Sequence, residues 1–277
     1  MNELDDYTDY YLRPIQRQTN GFKPVLGGTG IGKTSPIPDV VAANVTDRKF
    51  LYVPNRVQLL NEMATRLRKK GVKFVHLQRD VDIVIQLLRS PQLRASFDEL
   101  LLSPLITKPL SRIQQRSLGR PPDIATVRRT CDQIHRLLAL SHVDGVADLL
   151  DDQARIVLHF FQRILREAGQ GGSPTNRPRD HQRLTAHPVI RHLFPYIAFR
   201  ESDDTPILLV TLQKLFHGFF DGLKMVNLSQ LKGTDGHYII FLDEFDFLES
   251  NLIELICADA EIEAPFKFVE AFYRAMK

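Results

Sequence analysis

Residues 27–34 read Gly-Gly-Thr-Gly-Ile-Gly-Lys-Thr, and no other stretch constrains the fold of this chain as strongly. In the spacing G-x-x-x-x-G-K-T, glycines let backbone N–H groups turn toward a bound anion. The lysine adds positive charge for the terminal phosphates, and the threonine hydroxyl is a Mg²⁺ ligand. The stretch predicts a phosphate-binding loop (P-loop) for ATP and Mg²⁺, with a glycine-rich surface turn as the alternative. Its members are Gly27, Gly28, Thr29, Gly30, Ile31, Gly32, Lys33 and Thr34.

A second motif lies far downstream, where the apolar run 237–242 ends in Asp243-Glu244-Phe245-Asp246. Ligands of parallel α/β sheets bind at the carboxyl ends of the strands, so we expect both motifs at one edge. Asp243 would hold Mg²⁺ through water while the Thr34 hydroxyl ligates it, and Glu244 would orient and deprotonate the attacking water. With Lys33 on the phosphates, this set predicts ATP hydrolysis.

Apolar patterns place these motifs in an α/β fold with a parallel sheet. Strands are predicted at 49–53, 72–77, 206–211 and 237–242. A helix with a basic last turn and a glycine stop separates the first two strands, which indicates a right-handed βαβ unit. Residues 212–220 are also predicted to be helical.

Two prolines follow the P-loop, at Pro36 and Pro38. A proline inside a helix lacks the donor that the i to i−4 hydrogen bond needs. We therefore expect a kinked or delayed helix over 39–43.

Residues 78–200 have a different character. Helical patterns dominate there, and the segment holds 18 basic residues, 17 of them arginine, against 12 acidic ones. Arginine suits bidentate phosphate contacts, although a composition bias would produce the same excess. We predict a helical insertion at 78–200 between two parts of the α/β domain, 1–77 and 201–277.

Composition is that of an ordinary globular protein of 277 residues, with 43% hydrophobic residues and a net charge of +3. Cys131 and Cys257 are far apart and lack metal-ligand spacing, which is typical of reduced thiols in a cytoplasmic protein. No apolar run approaches the ~18 residues of a membrane-spanning helix, so no membrane partner is expected.

Five segments, in this order, resemble the first RecA-like domain of superfamily 2 (DExx-box) helicases and translocases. Residues 12–16 resemble the Q motif, and residues 27–34 match motif I. Residues 50–56 resemble motif Ia, a strand that ends in Pro-Thr-Arg or Pro-Thr-Lys. Residues 207–215 resemble the segment that precedes motif II, and residues 243–246 match motif II as D-E-x-D.

The resemblance implies a RecA-like ATPase domain that moves on, or unwinds, DNA or RNA. It implies that Gln16 reads the adenine edge. Contacts to the sugar-phosphate backbone would come from the ends of two strands and would read no sequence. Helix capping is the alternative for the asparagine and threonine among them. The implied contacts are Pro54, Asn55, Arg56, Thr211 and Lys214.

The chain also departs from the family pattern. Asn55 stands in place of the usual threonine, and Leu212 in place of the usual proline. No Ser-Ala-Thr follows Asp246, and no second RecA-like domain follows before Lys277. We therefore expect a fragment, or one subunit of a split enzyme, that binds ATP. Without the arginine finger of a second RecA-like domain, hydrolysis would be weaker by about 10³–10⁵.

Two other classes of function stay open. The first is a P-loop ATPase that remodels a protein partner. Whether nucleic acid stimulates the ATPase activity distinguishes this class from a helicase. The second is a non-catalytic, nucleotide-dependent interaction module that docks through the insertion.

Two smaller groups of side chains have weaker functional interpretations. A metal site could be considered for Asp180, His181, His187 and His192, but their spacing matches no known ligand pattern. Surface histidines are the preferred interpretation. The tyrosines at 7, 10 and 11 could stack on adenine or on bases, but a packing or disordered tail is preferred.

Overall fold

The computed structural model describes residue 11 and the segments 34–43, 48–54, 56–116, 123–140, 145–170, 178–202, 204–227 and 238–243. These residues divide into two compact units. The first consists of Met1–His76, Asp203–His217 and Asn227–Lys277 as far as the structure describes them. The second consists of the described parts of Leu77–Ser202 and Gly218–Val226. The domain boundaries inferred from the sequence stay a prediction.

A parallel four-stranded sheet forms the centre of the first unit. Its order is β2-β3-β1-β6, and each neighbouring pair is parallel. The strands are nearly continuous apolar runs, as expected for strands covered on both faces. The α/β fold with a parallel sheet and helices is therefore confirmed. The strands are β1 (Lys49–Val53), β2 (Phe74–His76), β3 (Ile207–Leu209) and β6 (Tyr238–Leu242).

Helices α1 (Ile37–Ala43) and α2 (Val57–Lys69) pack on one face of this sheet. Helix α2 buries Leu60, Met63, Ala64 and Leu67, whereas Val57 in its first turn is 52% exposed. It ends at Gly71, whose φ of 70° is in the left-handed region that suits glycine. The shared core is formed by Val40, Val41, Phe50, Tyr52, Leu60, Met63, Leu67, Ile207, Leu209 and Phe241, among others.

Helix α1 begins two residues earlier than the sequence predicted. Pro38 is its second residue, where a backbone N–H has no partner within the helix, so the missing donor costs nothing. Pro36 precedes the helix, and its carbonyl oxygen accepts the N–H groups of Asp39 and Val40, both at 2.9 Å. The prolines therefore define the start of the helix and do not delay it.

The predicted helix over 212–220 is too long. Helix α11 (Leu212–His217) stops at Gly218, which has a φ of 87°. A short antiparallel pair follows, β4 (Phe219–Phe220) with β5 (Met225–Val226). The left-handed glycine ends the helix and starts the strand, a change that helical periodicity does not reveal.

The second unit contains the predicted helical region. The long helix α7 packs against α3, α5, α6 and α8, and more of its residues are buried than in any other described helix. Phe160 and Phe161 of α7 are almost fully buried, with ring centroids 5.2 Å apart. The helices are α3 (Asp80–Arg89), α4 (Pro91–Leu102), α5 (Pro104–Arg116), α6 (Ile124–Ala139), α7 (Val146–Gly169), α8 (Arg179–Ala186), α9 (Pro188–Leu193) and α10 (Pro195–Glu201).

Candidate nucleotide and magnesium site

Three neighbouring strands of the first unit end at the same edge of the sheet. The N–H of Asp243, just after β6, donates to the carbonyl oxygen of Val53 at 3.1 Å. The N–H of Val210, just after β3, donates to the carbonyl oxygen of Tyr52 at 3.1 Å. Because all three strands are parallel, the residues that follow them share the carboxyl edge, where α/β proteins bind ligands.

Thr34 and Asp243 meet at this edge although 209 positions separate them in the sequence. The Thr34 hydroxyl donates to Oδ2 of Asp243 at 3.2 Å. Thr34 is held by the turn that starts α1, where its carbonyl oxygen accepts the N–H of Ile37 at 3.3 Å. The last residue of the P-loop motif and the first acid of the D-E-x-D motif therefore lie side by side.

Tyr52 is a third member of the site, and the sequence analysis missed it. Its phenol O–H donates to the same Oδ2 of Asp243 at 2.6 Å. Tyr52 is only 1% exposed and lies in strand β1 between the buried residues Leu51 and Val53. A signal was available, since a tyrosine in a buried strand needs a partner for its hydroxyl.

The oxygens at this edge fit a magnesium ion. Mg²⁺ prefers oxygen ligands at 2.0–2.1 Å in an octahedron, which places neighbouring ligands about 2.9 Å apart. Thr34 Oγ1 and Asp243 Oδ2 lie 3.2 Å apart, and because Oδ2 already accepts two hydrogen bonds, the carboxylate would hold the ion through a water or through Oδ1. A hydroxyl carries two lone pairs, so Thr34 can donate to Asp243 and still offer an oxygen lone pair to the ion.

Among the described residues at this edge, Thr34 and Asp243 are candidates to hold such an ion. Among the residues with described positions, no group of three or more histidine, cysteine, aspartate or glutamate side chains could hold a metal. Mg²⁺ is usually held by one or two carboxylates together with substrate phosphates, and it keeps several waters. One threonine hydroxyl and one carboxylate are compatible with this mode of magnesium binding.

Several predicted site residues lie outside the described residues. They are Gln16, Gly27, Gly28, Thr29, Gly30, Ile31, Gly32, Lys33, Asn55 and Glu244.

The proposed nucleic-acid contacts that are described also lie past the ends of β1 and β3. Pro54 is buried and Arg56 is exposed at the start of α2. Thr211 caps α11, because its Oγ1 accepts the backbone N–H of Lys214 at 3.2 Å. The capping role considered for Thr211 is therefore present, while Arg56 and Lys214 keep charged groups at this edge.

Tyr11 packs against the sheet. Its ring lies edge-on to Phe241 with centroids 5.6 Å apart, and Phe241 stacks on Phe50. This contact agrees with the packing interpretation of Tyr11.

The prediction of surface histidines is wrong for His181, which is buried inside the second unit, and all three histidines have structural contacts there. His181 is buried, with Nε2 3.0 Å from the carbonyl oxygen of Gly222, and Nε2 of His192 lies 2.9 Å from that of Ile83. Nδ1 of His187 accepts the N–H of Val189 at the start of α9. Burial lowers the pKa of His187, and the neutral ring is the form that can accept this hydrogen bond.

No protein-family model matches the chain, and no curated protein matches it significantly. Among the described helices, none has both the length and the apolar character needed to cross a bilayer.

Proposed function

We propose that the chain binds ATP with Mg²⁺ at the P-loop and hydrolyses it. The observation that carries the proposal is the 3.2 Å hydrogen bond between Thr34 and Asp243. A threonine at the end of a G-x-x-x-x-G-K-T motif and an acid after a parallel strand are the two magnesium-directed groups of a P-loop ATPase. If residues 27–34 were only a glycine-rich surface turn, a contact between Thr34 and Asp243 would not be expected.

In this proposal each motif residue has one task. Lys33 neutralises the terminal phosphates, and the backbone N–H groups of 27–34 surround them. Thr34 and Asp243 would hold the Mg²⁺, and the ion would neutralise the negative charge that develops on the transferred phosphoryl group. Glu244 accepts the proton of the attacking water, and Gln16 selects adenine.

We further propose that ATP turnover is coupled to DNA or RNA, as the resemblance to superfamily 2 helicases implies. Arg56 and Lys214 support this part, because both follow strands that end beside the candidate site. Contacts of this kind go to phosphates and carry no sequence information. The partner for full activity would be a second RecA-like domain or subunit that supplies an arginine finger. A cytoplasmic location is part of the same proposal.

The nucleotide assignment is tested with two variants. Lys33→Ala should abolish binding of a fluorescent ATP analogue, while Glu244→Gln should keep binding and lose phosphate release. Unchanged ATP binding by Lys33→Ala would overturn the site assignment. Unchanged turnover by Glu244→Gln would remove this residue as the general base.

The nucleic-acid coupling is tested separately by measuring ATPase activity with single-stranded DNA and single-stranded RNA. Arg56→Ala and Lys214→Ala should lower the stimulation and leave the basal rate unchanged. Arg66→Ala is the matched control, because Arg66 is exposed about 15 Å further along the same helix α2. Equal activity with and without either nucleic acid would refute the coupling and favour a protein-remodelling ATPase or a nucleotide-dependent interaction module.

A further inference from the structure

Tyr52 and Asp243 lie on the same face of the sheet because of the register between their strands. In the parallel pair β1 and β6, Tyr52 is opposite Phe241, and Asp243 follows two residues later. Alternate residues of an extended chain point to the same face. The phenol therefore reaches diagonally across the pair to the first acid beyond the strand end.

The tyrosine is held more firmly than the acid that it contacts. Tyr52 is buried in the core between the sheet and helices α1 and α2, whereas Asp243 is partly exposed at the sheet edge. A tyrosine side chain has only two rotatable angles, so packing around its ring places the hydroxyl accurately. The contact of 2.6 Å is short, as expected when a hydroxyl donates to a carboxylate.

The two donors meet at one oxygen atom. Both Thr34 Oγ1 and Tyr52 OH donate to Oδ2 of Asp243, so this oxygen lies between the P-loop threonine and the core of the sheet. An aspartate at a strand end has several rotamers available, and most of them would turn the carboxylate away from Thr34. The phenol favours the rotamer that faces the threonine.

We propose that Tyr52 is a positioning residue for magnesium: it holds the carboxylate of Asp243 beside Thr34 so that the two bind one ion. The proposal rests on the proposed nucleotide function and adds a residue that lies in none of the phosphate-binding or acidic motifs. Tyr52 acts through Asp243 and touches neither the nucleotide nor the ion. Its loss should therefore weaken Mg²⁺ binding and leave nucleotide binding without metal unchanged.

The test is Tyr52→Phe, which removes one oxygen and keeps the ring in the core. Binding of a fluorescent ADP analogue is titrated with MgCl₂, and is also measured in EDTA. The half-saturating Mg²⁺ concentration should rise about 10-fold to 100-fold, the range for a lost hydrogen bond to a charged group. Affinity in EDTA should stay within about twofold of the wild type. A general structural defect would instead weaken both the binding of Mg²⁺ and the binding of the ADP analogue in EDTA.

Tyr238→Phe is the matched control. Tyr238 is the first residue of β6, whereas Asp243 follows the last residue of that strand. This variant should keep the wild-type magnesium midpoint. In an Asp243→Ala background, Tyr52→Phe should cause no further rise, because the phenol then has no carboxylate to hold. A further rise of tenfold in that background would overturn the proposal.

The outcomes separate this proposal from the proposed function. If wild-type protein binds the ADP analogue with no dependence on Mg²⁺, the nucleotide–magnesium function itself fails. If the wild type depends on Mg²⁺ and Tyr52→Phe keeps its midpoint, only the positioning role fails. If Tyr52→Phe lacks a cooperative unfolding transition, the affinity of Asp243→Ala for the ADP analogue in EDTA is compared with that of the wild type. This comparison decides whether Asp243 acts through magnesium. Weaker binding by Asp243→Ala in EDTA would then refute an effect exerted through magnesium alone.

Discussion

Asp243→Asn should remove most of the stability that Mg²⁺ and nucleotide add to the first unit. With ligand at 100 times its dissociation constant, a site that exists only in the folded state gains about 2.7 kcal/mol. A contact to a charged group contributes up to about 3 kcal/mol to binding, so loss of the carboxylate charge should weaken the complex about 100-fold. At the same ligand concentration the variant then gains only about 0.4 kcal/mol.

Without ligand the same substitution should change stability little. The asparagine amide oxygen can still accept from Thr34 and Tyr52, so the folded shape of the edge is kept. The net change should be about 1 kcal/mol or less. The signature is therefore a lost response to ligand and not a lost fold.

The assay is urea or thermal unfolding with ADP and either MgCl₂ or EDTA. A difference of about 2.3 kcal/mol corresponds to roughly 5–9 °C in the unfolding midpoint of a unit of this size class. Asp204→Asn is the control, because that carboxylate belongs to the same unit and its side chain is 77% exposed in a surface pair with Lys73. If Asp243→Asn gained as much from Mg²⁺ as the wild type, the argument from the Thr34–Asp243 contact would be refuted.

Three further predictions concern the second unit. In a Cys257→Ser background, Cys131 should react with a thiol reagent only as fast as the protein unfolds, because burial raises its pKa to about 11; fast labelling of folded protein would contradict this. Stability should fall as pH drops below about 6.5, because burial lowers the pKa of folded His187 and the protonated ring cannot accept the N–H of Val189. His187→Asn should weaken that pH dependence in denaturant titrations, and an unchanged slope would be evidence against this assignment. Asp221→Ala should lower the free energy of unfolding by about 2 kcal/mol, because this buried carboxylate accepts hydrogen bonds from two backbone N–H groups and from Arg200. A loss below about 0.5 kcal/mol in denaturant titrations would contradict this prediction.

Local patterns were sufficient for most of the architecture. The apolar runs at 49–53 and 237–242 identified two strands of the parallel sheet, and the spacing of apolar residues identified α2 and the helical region. These signals are local because burial of one helix face or of a whole strand leaves its period in the sequence.

The errors arose where one residue decides a boundary. Pro38 is harmless in the first turn of α1, and Gly218 ends α11 by adopting a left-handed conformation. Whether a proline lies in the first turn, or a glycine takes a positive φ, depends on where the neighbouring chain must go. Periodicity over a window of ten or more residues does not contain that information.

The sequence by itself determined the chemical types at the candidate site: a G-x-x-x-x-G-K-T motif that ends in Thr34 and an acidic motif that begins with Asp243. Tertiary structure decided that these two side chains meet, and that the phenol of Tyr52 donates to the same carboxylate oxygen as Thr34. The physical reason is the pairing of strands distant in the chain, since parallel register alone sets which side chains share a face and an edge. A shift of β6 by one residue would turn Asp243 to the other face and away from Tyr52.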